Sequence, residues 1–352
     1  MAKKKKTPQV SLGSLQLSTG CSLLNCALSD DPSYGLETGR YYLLVGDSGA
    51  GKTWLTHSIM AEAAYNPAFD GHALIYDDVE GGALMDVAKF FGRKTAERIR
   101  PPRTTEDGLP ICSETIEDMY DNVTDCIDEG PCIYITDSVD ALTSSASLEK
   151  FDENKKKRRA GKDTTGSYGD GKAKINSEML RNIITKSKKN GSLVIFVCQS
   201  RDNLGFGFET KTRSGGRALK FYATSEIWMS VKKKLRQEVG GVKMSRGIIS
   251  QVDIKKNRQN GNEPACSFTI LNSLGIDDIT SSIDFLVEID HWSESSGKLI
   301  ASEFDFEGKR SKLIRMIESE DDIVTLQAIV GRQWNEIREK MSTKERRSRY
   351  VD

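Results

Sequence analysis

The chain has 352 residues, and its 51 Lys and Arg balance 51 Asp and Glu, so the formal net charge is zero. Its length allows one large core plus a small appended domain, and its apolar and charged fractions argue against global disorder. No apolar run reaches the roughly 20 residues that span a bilayer, and the basic N-terminus lacks the apolar stretch of a signal peptide. We expect a cytoplasmic or nucleoid-associated protein whose acidic partners meet local basic patches.

Strand and helix patterns alternate through the first two thirds of the chain. The strand-like apolar runs are 41–45, 73–77, 132–136 and 193–198, and the helical patterns are 52–65, 83–91, 114–128 and 176–189. This alternation predicts βαβ units and a mainly parallel sheet. After residue 222 the strand-like runs are joined by charged turns, which predicts an antiparallel extension at 226–231, 248–254 and 267–271.

The two ends of the chain differ from this α/β core. Residues 1–17 are predicted as a polar, basic arm and a candidate subunit contact, and the core is predicted at 18–306. Lys3 to Lys6 of this arm fit either a DNA-binding arm or a solubilising tail. Residues 307–352 predict a small helical region. Its apolar positions recur at helical spacing and are Leu313, Ile314, Ile317, Ile323, Leu326, Ile329 and Val330.

The strand at 41–45 runs into a turn that matches GxxxxGK[ST] at every fixed position. Glycines let the backbone N–H groups face phosphates, and the following helix adds its positive end. Lys52 is expected to reach the β- and γ-phosphates, and the Thr53 hydroxyl to hold Mg²⁺. The motif therefore predicts ATP and Mg²⁺ as ligands of Gly46, Asp47, Ser48, Gly49, Ala50, Gly51, Lys52 and Thr53.

Two further carboxylates complete the predicted site. Asp137 ends the apolar strand at 132–136 and is the expected second anchor for Mg²⁺. Glu80 follows the strand at 73–77 and is the candidate base that positions the attacking water. Asp77 and Asp78 compete with Glu80 for this role, and a solvated acidic loop remains the alternative.

Several strings in the chain resemble the bacterial RecA recombinase family. They are STG at 18–20, DSVDALT at 137–143, FVCQS at 196–200 and SGGRALKFYA at 214–223. The last string is the most specific, because generic phosphate-loop proteins lack it. The resemblance runs from about Ser18 to Phe306, and it implies a RecA-like ATPase core.

The resemblance also implies roles for individual residues. Glu80 lies in a DVE string like the family's D-x-E, which supports it as the base, and Gln199 stands where the family senses the γ-phosphate. Lys256 and Arg258 resemble the cations that reach the ATP of a neighbouring subunit, although a solvated basic turn would look the same. Residues 144–175 and 200–216 match the family's first and second DNA-binding loops.

The residues of these loops suit single-stranded DNA, because cations can track phosphates and aromatic rings can stack on bases. An ordinary surface loop is the alternative for 200–216, and a solvated linker for the basic insert at 155–162. The candidate DNA contacts are Arg201, Phe206, Phe208, Lys211, Arg213, Gly215 and Gly216, with Lys155, Lys156, Lys157, Arg158 and Arg159.

Three features depart from the family. Only 17 residues precede Ser18, so we expect the family's N-terminal helical segment to be missing or replaced, with 9–17 docking on a neighbour. The first loop carries the basic insert, and the C-terminus ends basic where bacterial members end acidic. The first departure makes the usual subunit contact of the family an open question, and the other two suggest a specialised relative or one from a phage or mobile element.

The expected function is a DNA-dependent ATPase that forms a filament on single-stranded DNA and promotes pairing and strand exchange with homologous duplex DNA. One rival is a RecA-fold replicative helicase, because the string 256–261 also resembles the helicase finger region. The other is a recombination mediator that uses ATP only as a structural ligand. The set of Lys52, Glu80 and Asp137 favours hydrolysis over this second rival.

Overall fold

The computed structural model describes residues 14–161, 163, 172–202, 211–213 and 216–341. Its strands, in chain order, are Gln16–Leu17 (β1), Leu36–Glu37 (β2), Tyr41–Gly46 (β3), Ala73–Asp78 (β4), Ile99–Arg100 (β5), Arg103–Thr104 (β6), Pro110–Ile111 (β7), Cys132–Asp137 (β8), Leu193–Asp202 (β9), Lys211–Arg213 (β10), Ser225–Val239 (β11), Val242–Asn257 (β12), Ala265–Leu271 (β13), Gly275–Asp277 (β14), Ser293–Ser295 (β15), Lys298–Ala301 (β16) and Phe306–Gly308 (β17).

The α-helices lie between and after these strands. They are Ser22–Ser29 (α1), Lys52–Tyr65 (α2), Val87–Phe91 (α3), Arg93–Arg98 (α4), Ile116–Glu129 (α5), Ser145–Arg159 (α6), Lys172–Asn190 (α7), Gly216–Tyr222 (α8), Asp278–Glu288 (α9), Arg310–Ser319 (α10) and Ile323–Met341 (α11). Within the described ranges, no helix combines the length and hydropathy needed to cross a membrane.

Ten of the described strands form one mixed sheet in the order β14-β13-β12-β11-β3-β9-β8-β4-β5, with β10 paired to β9. The neighbours from β11 to β5 are parallel, whereas β11 to β14 pair antiparallel. This confirms the predicted α/β fold with a mainly parallel sheet and an antiparallel extension. The carboxyl ends of β3, β4, β8 and β9 meet at one edge of the sheet, where parallel α/β proteins place their ligands.

Each central strand sends alternate side chains into two cores, as a sheet covered on both faces requires. On β9, Leu193 and Ile195 face the core formed with α1, α2, α9 and α11, while Val194 and Phe196 face the core formed with α5, α7 and α8. Because both faces are buried, these strands read as continuous apolar runs, and their positions were predictable from sequence.

The antiparallel extension is longer than predicted. Strands β11 and β12 have 15 and 16 residues and are joined by Gly240 and Gly241, both with positive φ. Their distal halves are mostly exposed and rich in charge, so hydropathy marks only the buried proximal halves at 226–231 and 248–254. The backbone pairing of β11 with β12 continues beyond the apolar residues, into the part of the hairpin that is exposed to solvent.

Two predicted segments differ in the structure. Residues 145–159 of the predicted first DNA loop form helix α6 instead of a loop, because the segment contains good helix formers, and Ser144 caps its start. The helix predicted at 83–91 begins only at Val87, because Asp86 caps its start by accepting from the backbone N–H of Lys89.

Both ends of the described chain pack on the same core. Leu17 is 1% exposed and pairs with Leu36 within the chain, so the C-terminal end of the segment predicted to dock on a neighbour belongs to its own fold. Leu313, Ile317 and Trp334 of the last two helices share the core of α1 and α2. The domain boundaries at 17/18 and 306/307 stay predictions.

Candidate functional site

The phosphate loop joins β3 to α2, and its tight curve depends on glycine. A Cβ on Gly46 would lie 2.5 Å from the carbonyl oxygen of Met229, and a Cβ on Gly51 would lie 2.2 Å from Cδ1 of Ile270. Gly51 also has φ +95°, in the left-handed region that other residues rarely adopt. The backbone of β11 therefore excludes a side chain at Gly46, and the left-handed backbone conformation strains one at Gly51.

Lys52 begins helix α2 and points back over this loop. Its Nζ donates to the carbonyl oxygens of Gly46 and Asp47, each at 2.9 Å. Burial lowers the pKa of Lys52, and the carboxylates of Asp137 and Glu80 oppose that shift. A cation held among carbonyl oxygens can exchange them for the stronger acceptor oxygens of a phosphate.

The predicted metal anchors lie together. The Oγ1 of Thr53 donates to Oδ2 of Asp137 at 2.9 Å, and the same oxygen accepts from the hydroxyl of Tyr76 at 2.8 Å. Burial raises the pKa of Asp137, and these two hydrogen bonds oppose the shift. An alcohol and a carboxylate oxygen are hard donors of the kind that Mg²⁺ takes, so the residues fit this ion. Sequence reasoning missed Tyr76, which reads as one more apolar position of β4.

The structure separates the three acids after β4. Asp77 is buried and accepts from Ser113 and from Tyr134, so it joins β4 to its neighbours. Asp78 accepts from the backbone N–H groups of the following turn at Gly82 and Ala83. Both carboxylates therefore have structural partners, which leaves Glu80 as the candidate base.

The side chain of Glu80 contacts Gln199 of strand β9. Its Oε1 accepts from Nε2 of Gln199 at 2.8 Å and from the hydroxyl of Ser138. Gln199 is in turn fixed by its backbone N–H, which donates to Oδ2 of Asp140 at 2.7 Å. The structure thus brings the predicted base, the predicted γ-phosphate sensor and the residue after the metal anchor into one cluster.

The predicted second DNA loop begins within β9, whose residues 200–202 pair with β10. Arg201 lies 3.4 Å from Asp140 and its side chain is 61% exposed, which suits a DNA contact. Lys211 instead pairs with Asp47 of the phosphate loop. Arg213 is only 8% exposed and donates to the buried Glu226 at 2.8 Å, so its position does not support the predicted direct contact with DNA.

The other candidate DNA residues fall in two groups. Phe206, Phe208 and Gly215 lie outside the described residues, and Gly216 starts helix α8. The five cations at 155–159 lie in the last turns of α6, of which no residue is buried. Arg158 stands 5.6 Å from the ring centre of Phe151, itself 56% exposed. The helix therefore presents a basic end beside an aromatic ring.

The predicted trans-acting cations lie apart from the phosphate loop. Lys256 donates to the carbonyl oxygens of Lys220 and Phe221 at the C-terminal end of α8, at 2.5 and 2.8 Å. Arg258 donates to the Phe221 carbonyl at 2.9 Å. Burial and the nearby Arg258 lower the pKa of Lys256 to about 8.

These two cations line a cavity of about 790 Å³. Glu226 supplies its carboxylate, and the cations around it come from β10, α8 and β12. They include Lys211, Arg213, Arg217, Lys220, Lys256 and Arg258. A cavity with this excess of positive charge suits a phosphate-rich ligand or an acidic surface.

Comparison with known proteins identifies the family. The model of the RecA N-terminal domain matches residues 4–277. The chain is 27% identical over 344 residues to protein RecA of Colwellia psychrerythraea (strain 34H / ATCC BAA-681), covering 92% of this chain and 88% of that protein. It is 28% identical over 314 residues to protein RecA of Legionella pneumophila (strain Corby), covering 87% and 78%. The resemblance found in the sequence is confirmed, and the chain belongs to the RecA family.

Proposed function

We propose that this protein is a DNA-dependent ATPase that assembles on single-stranded DNA and promotes homologous pairing and strand exchange. The hydrogen bond between Gln199 and Glu80 supports this most directly, because it joins the predicted base to the residue that precedes the predicted second DNA loop. Family membership supports the same function.

The binding step follows from the phosphate loop. Its backbone N–H groups and the start of α2 receive the phosphates, and Lys52 exchanges its carbonyl partners for phosphate oxygens. Thr53 and Asp137 would hold Mg²⁺, which supplies positive charge to the phosphates when bound. Tyr76 keeps the Asp137 carboxylate in place through its hydrogen bond.

Glu80 is the general base of the hydrolytic step. Its carboxylate orients a water molecule and accepts a proton from it, while the water oxygen bonds to the γ-phosphorus and the bond to the bridging oxygen breaks. Gln199 and Ser138 hold Glu80 before the reaction. A γ-phosphate that draws the Gln199 side chain away would remove one of the two hydrogen bonds that hold Glu80.

Assembly follows from the remaining cations. Lys256 and Arg258 are bound to carbonyls of α8 and, among the described residues, do not contact the phosphate loop of their own chain. We infer that they act on the ATP of a neighbouring subunit in a filament. Helix α8 begins where the second DNA loop ends, so DNA bound to that loop can change the position of both cations.

Electron microscopy of the protein with ATP and single-stranded DNA tests this proposal. A helical filament is expected, whereas a closed ring would favour the replicative helicase. A joint-molecule assay with homologous duplex DNA then tests strand exchange itself. Absence of phosphate release would favour the non-catalytic mediator, and phosphate release that does not respond to single-stranded DNA would contradict the proposed DNA-dependent ATPase. The location in the cytoplasm or on the nucleoid stays a prediction.

A further inference from the structure

The second position of the phosphate loop carries an acid. Asp47 follows Gly46, and its main-chain carbonyl oxygen lies 2.9 Å from Nζ of Lys52, so this residue is part of the wall of the nucleotide site. A carboxylate beside a bound triphosphate repels it. A phosphate loop with this residue therefore needs a cation that neutralises the carboxylate.

Lys211 supplies that cation from another part of the chain. Its Nζ pairs with Oδ2 of Asp47, and Ser200 donates its hydroxyl to Oδ1. Burial raises the pKa of Asp47, but the contacts with Lys211 and Ser200 lower it overall, so the Asp47 carboxylate is charged at neutral pH. Both side chains are about one third exposed, which screens the pair only in part.

The fold fixes this contact. Strand β10 pairs antiparallel with the end of β9, with Lys211 opposite Asp202 and Arg213 opposite Ser200. Strand β9 is itself paired with β3, which leads into the phosphate loop, with Gly46 opposite Gln199. The order of strands in the sheet thus places β10, which carries Lys211, next to the phosphate loop.

We propose that Lys211 is a positioning residue of the nucleotide site, where it neutralises Asp47 and allows the phosphate loop to accept a triphosphate. This inference rests on the proposed function, because it requires ATP in the phosphate loop. It differs from the sequence prediction, in which Lys211 contacts DNA. Two positions of this region are then tied to the nucleotide site: Gln199, which precedes the second DNA loop, through Glu80, and Lys211, within that loop, through Asp47.

Titration with a slowly hydrolysed ATP analogue and Mg²⁺, without DNA, tests the role of Lys211. Lys211→Met should raise the Kd roughly tenfold, because it leaves an uncompensated carboxylate beside the phosphates. Lys211→Arg should restore binding. In an Asp47→Asn background Lys211→Met should have no effect, since there is no charge left to neutralise. Lys186→Met, which breaks a surface pair with Asp128, is the matched control.

A second measurement separates this role from DNA binding. If Lys211 contacted DNA, Lys211→Met would leave the nucleotide Kd unchanged and would flatten the salt dependence of binding to single-stranded DNA by about 0.7 in slope. That outcome, or an equal loss of nucleotide affinity with Asp47→Asn present, would overturn the inference. A wild-type chain that does not bind the analogue would instead refute the proposed ATPase, and the role of Lys211 with it.

Discussion

Nε2 of Gln199 lies 2.8 Å from Oε1 of Glu80, so the end of β9 and the turn after β4 are joined by one hydrogen bond. The backbone N–H of Gln199 is held by Asp140, and only the side chain is needed to hold Glu80. Rotation of that side chain can therefore break this contact without moving the strand, which leaves Ser138 as the remaining partner of Glu80. In the proposed ATPase, this contact connects the base that hydrolyses ATP to the residue that precedes the second DNA loop.

The roles of Lys52 and Glu80 can be separated by two substitutions. Lys52→Ala should weaken ATP binding by at least roughly tenfold, because it removes the cation that receives the phosphates. Glu80→Gln should keep binding and lower kcat by about 10²–10⁴, because the amide cannot accept the proton of water. Equilibrium binding of an ATP analogue and phosphate release give the two values. Normal hydrolysis by Glu80→Gln would place the base elsewhere.

The basic end of α6 is expected to bind the phosphate backbone of DNA. Replacing Lys156, Lys157 and Arg158 with alanine should weaken binding to single-stranded DNA and flatten its salt dependence by about 2 in slope, with little sequence preference. Fluorescence anisotropy at several salt concentrations measures both quantities.

The matched control for this basic end removes three other exposed cations, Lys312, Arg315 and Lys340, from the last two helices. The control protein should keep the wild-type slope. If both triple variants lose affinity equally, the effect is one of net charge and the end of α6 is a solvated helix terminus.

The central fold and the core of the site were predictable because their signals are local. The motif that ends at Lys52 and Thr53, and the apolar strand that ends at Asp137, are each contiguous in sequence, and parallel strands bring their carboxyl ends together. The choice of Glu80 over Asp77 needed the structure, since only the partners Ser113 and Tyr134 show that Asp77 is structural.

The ion pairs could not be predicted, because each joins residues that are brought together only by the strand order. Lys211 and Arg213 read as two loop cations of the same kind. One binds Asp47 of the phosphate loop and the other binds the buried Glu226 of β11. The sequence of a loop does not show whether a charged side chain is exposed or paired, so the sequence alone predicted DNA contacts for both residues.

The lowered pKa of Lys256 predicts a pH dependence. Its pKa of about 8 means that the free protein loses this charge as pH rises through 8, whereas an Arg keeps it. The kcat/KM of the DNA-stimulated ATPase should therefore fall above pH 8 in the wild type and stay level in Lys256→Arg. The ratio is the right measure, because it reports the ionisation of the free protein.

The same pKa shift predicts that stability changes with pH in the direction opposite to activity. The charged form of Lys256 is disfavoured in the folded chain, so the unfolded chain binds more protons between pH 8 and the ordinary lysine range. The free energy of unfolding should therefore rise with pH across this interval while kcat/KM falls. Parallel changes in both quantities would show that the loss of activity comes from unfolding.

The last prediction concerns action between subunits. A Glu80→Gln chain lacks the base but still offers Lys256 and Arg258 to a neighbour. A chain with Lys256→Ala and Arg258→Ala lacks these cations but keeps its own phosphate loop and base. Mixed on single-stranded DNA, two inactive proteins should restore part of the ATPase activity, because some interfaces combine an intact base with intact cations. Equal mixing should give at most about one quarter of the wild-type rate if neighbours assort at random and one such interface suffices.

Two controls make this complementation specific. Each variant alone, at the total protein concentration of the mixture, should stay inactive, and a Glu80→Gln chain that also carries Lys256→Ala and Arg258→Ala should not restore its partner. Circular dichroism and DNA binding confirm that all variants are folded, which matters because Lys256 and Arg258 bind carbonyls of α8. Activity per subunit of the wild type should rise with protein concentration and with DNA. A mixture that stays inactive, although both proteins are folded and bind DNA, would show that these cations act within their own chain or only hold α8.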